Sequence, residues 1–160
     1  MFETETRTPG KDPGPALFVS IDGAARGNPG PAAIGVVITD AEGRRRVEIS
    51  KTIGRRTNNQ AEYEALLEAL QALRKLAPQR AVIRTDSELL YHQMQGSYRI
   101  RNSELARLNF KAQVLRRTLT GIAFELIPRT ENKAADKLAN KALDAKAAAR
   151  GERKERARVR

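Results

Sequence analysis

Short apolar runs dominate the first third of this 160-residue chain, and apolar residues at helical intervals dominate much of the rest. The run from Leu17 to Ile21 predicts a buried strand. Two more, Ala33 to Thr39 and Arg46 to Thr52, are joined across Asp40-Ala41-Glu42-Gly43, which predicts a hairpin. From Asn59 to Leu76, the residues Ala61, Ala65, Leu66, Ala69, Leu70 and Leu73 recur on one helical face, and Pro78 closes the element. A strand from Ala81 to Thr85, a helix from Ser87 to about Gln95, a break at Gly96, a helix from Asn102 to Leu119 and a strand from Ile122 to Ile127 follow. The last predicted element is a helix from Glu131 to about Ala149, with Ala135, Leu138, Ala139, Ala142 and Leu143 as its buried stripe. A hairpin followed by alternating helices and strands implies an α/β fold, one mixed sheet with helices on its faces.

The length suits one domain with a real core, expected over residues 16–149. Residues 1–15, rich in Thr, Pro, Gly and charge, read as a disordered leader. Residues 150–160 (RGERKERARVR) carry six basic and two acidic side chains with no apolar period, and read as a solvated basic tail or a frayed helix end. The formal net charge of +11 makes a polyanion the first partner to consider. With no cysteine, disulfides and thiolate metal sites are excluded. No stretch reads as a signal peptide or a membrane span, so the expectation is a cytoplasmic, monomeric protein.

Four carboxylates sit where an ordinary fold prefers something else. Asp22 and Asp86 each end a predicted strand; Glu62, in NNQAEYEALLEAL, points with the buried face of its helix; Asp136, in ENKAADKLANKAL, borders an apolar stripe. Each has a structural alternative. Asp22 before Gly23 suits a turn, Glu62 lies three residues after Asn59 as in a capping box, Asp86 suits an N-cap, and Asp136 suits a pair with Lys133 or Asn140. Taken jointly, two strand ends and two sheet-facing helix positions converge on one end of a small α/β sheet, where ligand sites form. Carboxylates that close repel strongly unless cations neutralise them. An all-oxygen ligand set suits Mg²⁺ or Mn²⁺, and an acidic cluster in a basic protein points to two-metal phosphodiester chemistry. On that reading the small residues after Asp22 let a nucleic-acid backbone approach.

The ordered motifs DGAARGNPGPAAIG, TNNQAEYEALLEAL, TDSELL and ENKAADKLAN resemble type 1 ribonuclease H over about Phe18 to Leu143. The resemblance implies a ribonuclease H-like fold with a five-stranded mixed sheet, and hydrolysis of the RNA strand of an RNA·DNA hybrid to 5′-phosphate and 3′-hydroxyl ends. It implies that Asp22, Glu62, Asp86 and Asp136 are the metal-binding catalytic acids. It likewise implies that Asn28, Asn58, Asn59 and Gln60 sense 2′-hydroxyls in the minor groove, and that Arg55, Thr57 and Asn102 hold a phosphate of the DNA strand.

The chain departs from the family in three places. IPRTEN puts Arg129 where most type 1 enzymes carry a loop histidine, and a guanidinium cannot relay protons near neutrality. The extended basic handle is missing, with Arg99, Arg101, Arg107, Lys111, Arg116 and Arg117 supplying charge around the next helix instead. There is no Trp to pack against DNA sugars; Tyr98 is the substitute to consider, while His92 reads as a surface or packed helix residue. The pattern resembles a subgroup in which double-stranded RNA is also cleaved. Two alternatives stay open, a DNA nuclease or strand-transfer enzyme of the same fold and a hybrid-binding module without catalysis.

Overall fold

The computed structural model describes residues 16–159, so the expected leader lies outside the described residues. The elements run β1 (Ala16–Ala25), β2 (Gly30–Thr39), β3 (Arg45–Arg56), α1 (Asn58–Leu76), β4 (Arg80–Thr85), α2 (Glu88–Gln95), α3 (Ser103–Arg117), β5 (Ile122–Leu126), a 3₁₀ turn (Arg129–Glu131) and α4 (Lys133–Arg158). They build one five-stranded sheet in the order β3-β2-β1-β4-β5. The first three strands are antiparallel, while β1, β4 and β5 run parallel. The three carboxyl ends of the parallel strands therefore open on one side of the sheet.

Alternation along the strands sends successive side chains to opposite faces. Leu17, Val19 and Ile21 of β1 and Ile34, Val36 and Ile38 of β2 form one face with Leu66, Leu70 and Leu73 of α1. Burying side chains of this size contributes about 1.5–3 kcal/mol each. On the other face lies α4, whose Leu138 carbonyl accepts a 2.6 Å bond from the Ser50 hydroxyl of β3. Helices thus cover both faces.

Two glycines on neighbouring strands set how close the helices come. A Cβ at Gly23 would stand 2.3 Å from the Ala61 carbonyl carbon of α1, and one at Gly35 would stand 2.0 Å from the Ala135 carbonyl oxygen of α4. Gly35 pairs with Asp22, so Asp22 and Gly35 share the α4 face while Gly23 shows the α1 face. The backbone whose close approach requires Gly23 is that of α1, rather than that of a nucleic acid as the sequence reading proposed.

Several boundaries differ from expectation, with β2 starting earlier, at Gly30, and β3 running on to Arg56, and three further differences have consequences. The first strand does not stop at Ile21 but continues to Ala25, so Asp22 lies inside it, opposite Gly35. Gly23, Ala24 and Ala25 have weak strand preference, and their pairing with β2 holds them extended. Pairing with β4 ends at Ser20, and β1 runs on beyond it with one edge free of a neighbouring strand. The second difference is at α1, which is capped by Thr57. Its hydroxyl accepts from the Gln60 N–H at 3.2 Å and its own N–H donates to Gln60 Oε1 at 3.0 Å. Asn59 and Glu62 therefore form no capping box. The third is α4, which stays helical through Arg158.

Replacing Gly35 by Ala is expected to cost about 2–4 kcal/mol and to lower the melting temperature by roughly 5–10 °C, because two backbones must part. Gly151→Ala, in open space within α4, is expected to stabilise by up to about 1 kcal/mol. Thermal melts of the two variants check the opposite signs.

Candidate active site

Asp22 reaches the site from β1, Glu62 from the second turn of α1, and Asp86 from the residue after β4. One oxygen of each lies within 4.8 Å of the others. Asp22 and Glu62 are buried, and Asp86 is half-buried. Asp86 is not spent as a cap, because Ser87 takes that role and accepts from the Leu90 N–H at 3.2 Å. Asp136 is outside that tight triad but close enough to Asp22 for a side-chain hydrogen bond and a coulombic effect. It is exposed at the start of α4, and its carboxyl accepts from Asn140 Nδ2 at 3.1 Å. All four acids line one cleft of about 990 Å³, shared with Asn58, Asn59 and Arg129.

Burial dominates the electrostatics. It pushes the Asp22 carboxyl up to about 7, and the charges of Asp86 and Asp136 add to the effect, while a hydrogen bond with Glu62 opposes it. Glu62 is raised well above the usual carboxylate range, first by burial and then by the charge of Asp22. One Glu62 oxygen, Oε2, is buried with no hydrogen-bond partner, a cost of roughly 1–3 kcal/mol that a bound cation would offset. Three oxygen donors with an orphaned lone pair among them fit a hard divalent cation and no thiolate-seeking metal.

The free edge of β1 beyond β4 is closed by side chains of this same site. The Ile21 carbonyl accepts from Asn132 Nδ2 at 2.8 Å, the Gly23 N–H donates to the Glu62 carboxyl, and the Ala25 N–H donates to Asn58 Oδ1 at 3.0 Å. Asn132 also donates to Asp86 Oδ2 at 2.9 Å, so one buried amide fixes a strand and a carboxylate together. Sequence reasoning missed Asn132. Its position just before a helix reads as a cap, yet its side chain makes no cap bond.

The other expected site residues divide between this cleft and its surroundings. Asn28, exposed beside a cis Asn28–Pro29 bond, accepts from the Asn58 N–H at 3.1 Å and so continues the cleft wall. Gln60 is engaged in the α1 cap. Arg55 lines a separate hollow of about 250 Å³ with Gln60, Arg56, Arg107 and the acids Glu64 and Glu104. Thr57 and Asn102 cap α1 and α3, Asn102 accepting from the Leu105 N–H at 3.0 Å. Of the basic residues around α3, Arg107 bonds Glu104 and Arg116 lies 5.0 Å over the Phe124 ring. His92 stacks on Tyr98 with ring centres 4.3 Å apart, and neither lines the cleft that holds the acids.

Residues 20–142 match the family model described as Reverse transcriptase-like. Ribonuclease HI of Halobacterium salinarum is 41% identical over 133 residues, which is 83% of this chain and 67% of that protein. The crystal structure of the RNase H1 from that archaeon superposes with a TM-score of 0.79 at 40% identity, covering 81% of this chain and 98% of that one. LC11-RNase H1 from compost, solved in complex with an RNA/DNA hybrid, gives a TM-score of 0.78 at 41% identity over 82% of this chain and 99% of its own. The Bifunctional protein Rv2228c of Mycobacterium tuberculosis is 40% identical over 132 residues, 82% of this chain, and the match spans 36% of that longer protein. Shared sequence and a matching fold over most of the domain agree, and this chain belongs to the type 1 ribonuclease H family.

Proposed function

We propose that this chain hydrolyses the RNA strand of RNA·DNA hybrids, leaving 5′-phosphate and 3′-hydroxyl ends, with two Mg²⁺ or Mn²⁺ ions held by its four acids. One observation carries the reading: carboxylates from β1, α1 and the end of β4 meet in a cleft and leave a Glu62 oxygen without a partner. The net charge of +11 supports a polyanionic substrate, and the hybrid bound by LC11-RNase H1 supports its kind. Asp22 has the other three acids about it and would be shared by both ions, with Glu62 and Asp86 completing one set and Asp136 the other. Bound divalent cations supply an activated water and charge stabilisation at the leaving oxygen.

The remaining roles follow from donors and acceptors. A 2′-hydroxyl both donates and accepts, and so do the side-chain amides of Asn58 and Asn59 on the cleft wall and of Asn28 beside them. Gln60, Arg55, Thr57 and Asn102 would meet the DNA strand farther along. The caps use oxygen lone pairs of Thr57 and Asn102, which leaves the Thr57 O–H and the Asn102 N–H₂ as donors for a phosphate. Arg129 lines the cleft as a positive charge that attracts phosphate. Double-stranded RNA also presents 2′-hydroxyls to this wall, so the reading extends to it as a second substrate.

Asp22→Asn is expected to abolish cleavage of a labelled hybrid, a loss of at least about 10³-fold, while hybrid binding persists. Comparing one sequence as hybrid, RNA duplex and DNA duplex, each with Mg²⁺ and with Mn²⁺, checks the substrate; preferential cleavage of the DNA duplex would falsify the assignment.

A second expectation concerns stability with metal chelated. The folded-state pKa of Asp22 is about 7, raised from 3.8, so its contribution to stability is complete below about pH 4 and is lost as pH rises through 7. Stability should therefore fall from about pH 4 to about pH 7, with Glu62 adding to the fall, and Asp22→Asn should flatten part of it and melt several degrees higher at pH 8. Adding Mg²⁺ should raise the melting temperature of the unsubstituted protein at pH 8 and leave Asp22→Asn nearly unmoved. Melts in chelator and in Mg²⁺ across that range read both effects.

A further inference from the structure

The far half of α4 carries a basic groove that the cleavage site does not use. From Ala147 to Val159 every residue is exposed, so this part of the helix covers no core. Its inner side faces the β1–β2 loop across a groove of about 310 Å³, with Arg26 and Pro31 on one wall and Lys146, Arg150 and Lys154 on the other. The three α4 cations recur every fourth residue, which sets them in one row. Arg26 is paired with Asp144 at 2.6 Å, whereas Lys146, Arg150 and Lys154 form no ion pair among the described residues. No acid lines this groove, while the hollow beside Arg55 contains Glu64 and Glu104.

The groove and the cleft are separate hollows that lie along the same two stretches of chain, from β1 into β2 and along α4. Asn58 lines the cleft and donates its N–H to Asn28, which follows Arg26 by two residues. On the other wall, one unbroken helix runs from Asp136 to Lys146 and Lys154, about 15 and 27 Å further along its axis. A duplex turn is roughly 34 Å, so those distances correspond to about 5–8 base pairs. Unpaired cations in a row at that reach are suited to phosphates and to no particular base.

We propose that Lys146, Arg150 and Lys154 of α4 form an accessory phosphate-binding surface. It engages the backbone of the same duplex that occupies the cleft, about half a turn or more from the scissile bond. This inference rests on the proposed hybrid substrate.

The test compares the unsubstituted protein with the triple variant Lys146→Glu, Arg150→Glu, Lys154→Glu, and with the triple Gln variant. The substrates are two hybrids, a hairpin-tethered one of about 8 base pairs with its scissile bond at the centre, so that it ends about 4 base pairs away, and a linear one of about 20. For the long hybrid, charge reversal is expected to raise KM about 10-fold or more at 0.1–0.15 M salt with kcat unchanged, and the Gln variant should fall between. The slope of log affinity against log salt should drop by about 2–3. For the short hybrid both variants should match the unsubstituted protein. Circular dichroism establishes that the helix remains in each.

Equal KM values for the three proteins on the long hybrid, or equal losses on both lengths, would overturn the accessory surface. Fluorescence anisotropy with metal chelated separates this from the proposed reaction. If nothing is cleaved yet charge reversal weakens binding of the long duplex alone, the surface stands and the reaction falls. If binding of long and short duplexes is unaffected, the surface falls whatever the cleavage result.

Discussion

The structure depends on two places where a helix backbone touches the sheet with no side chain between them. Gly23 admits the start of α1 from one face, and Gly35, on the adjacent strand, admits the start of α4 from the other. Glu62 follows the α1 contact at once, and Asp136 follows the α4 contact by one residue. Contact this close leaves no room for a side chain at either glycine, and one placed there would push its helix away from the sheet. The acids are therefore positioned by steric exclusion at Gly23 and Gly35 more than by attraction to one another.

Attraction does little of that work, because one hydrogen bond joins Asp22 to Glu62 while the charges of the acids repel. Burial lifts Asp22 and Glu62 together, and Asp86 adds like charge. Hydrophobic contacts of Val19, Ile21, Ile34 and Leu66 close beneath them and offset that cost. The fold holds a locally unfavourable arrangement by stabilising everything around it, the general pattern for groups prepared to receive a ligand.

What could be read in the sequence follows from the range of each interaction. The four acids were legible because strand and helix periodicity place a residue on a face without knowledge of its partners, and the order β-hairpin, helix, strand implied the mixed sheet. Asn132 was not legible, since its partners are the Ile21 carbonyl 111 positions away and Asp86, 46 away. The run of Gly23, Ala24 and Ala25 reads locally as a strand end, and only pairing with β2 keeps it extended. Likewise Thr57 and Asn59 are both good caps, and the reciprocal bonds of Gln60 decide between them. The exposed half of α4 has no apolar stripe to announce it; alanines and the Glu152–Arg156 spacing favour helix there without packing.

The closed edge of β1 has a consequence for solubility. Past Ser20 this strand lacks a neighbour on one side, and unsatisfied main-chain groups on such a margin invite another polypeptide to dock as an extra strand. Asn132, Glu62 and Asn58 occupy the Ile21, Gly23 and Ala25 positions of that margin. The side chains that line and brace the cleft thereby also guard against self-association, and exchanging them for small apolar residues would uncover a template for aggregation.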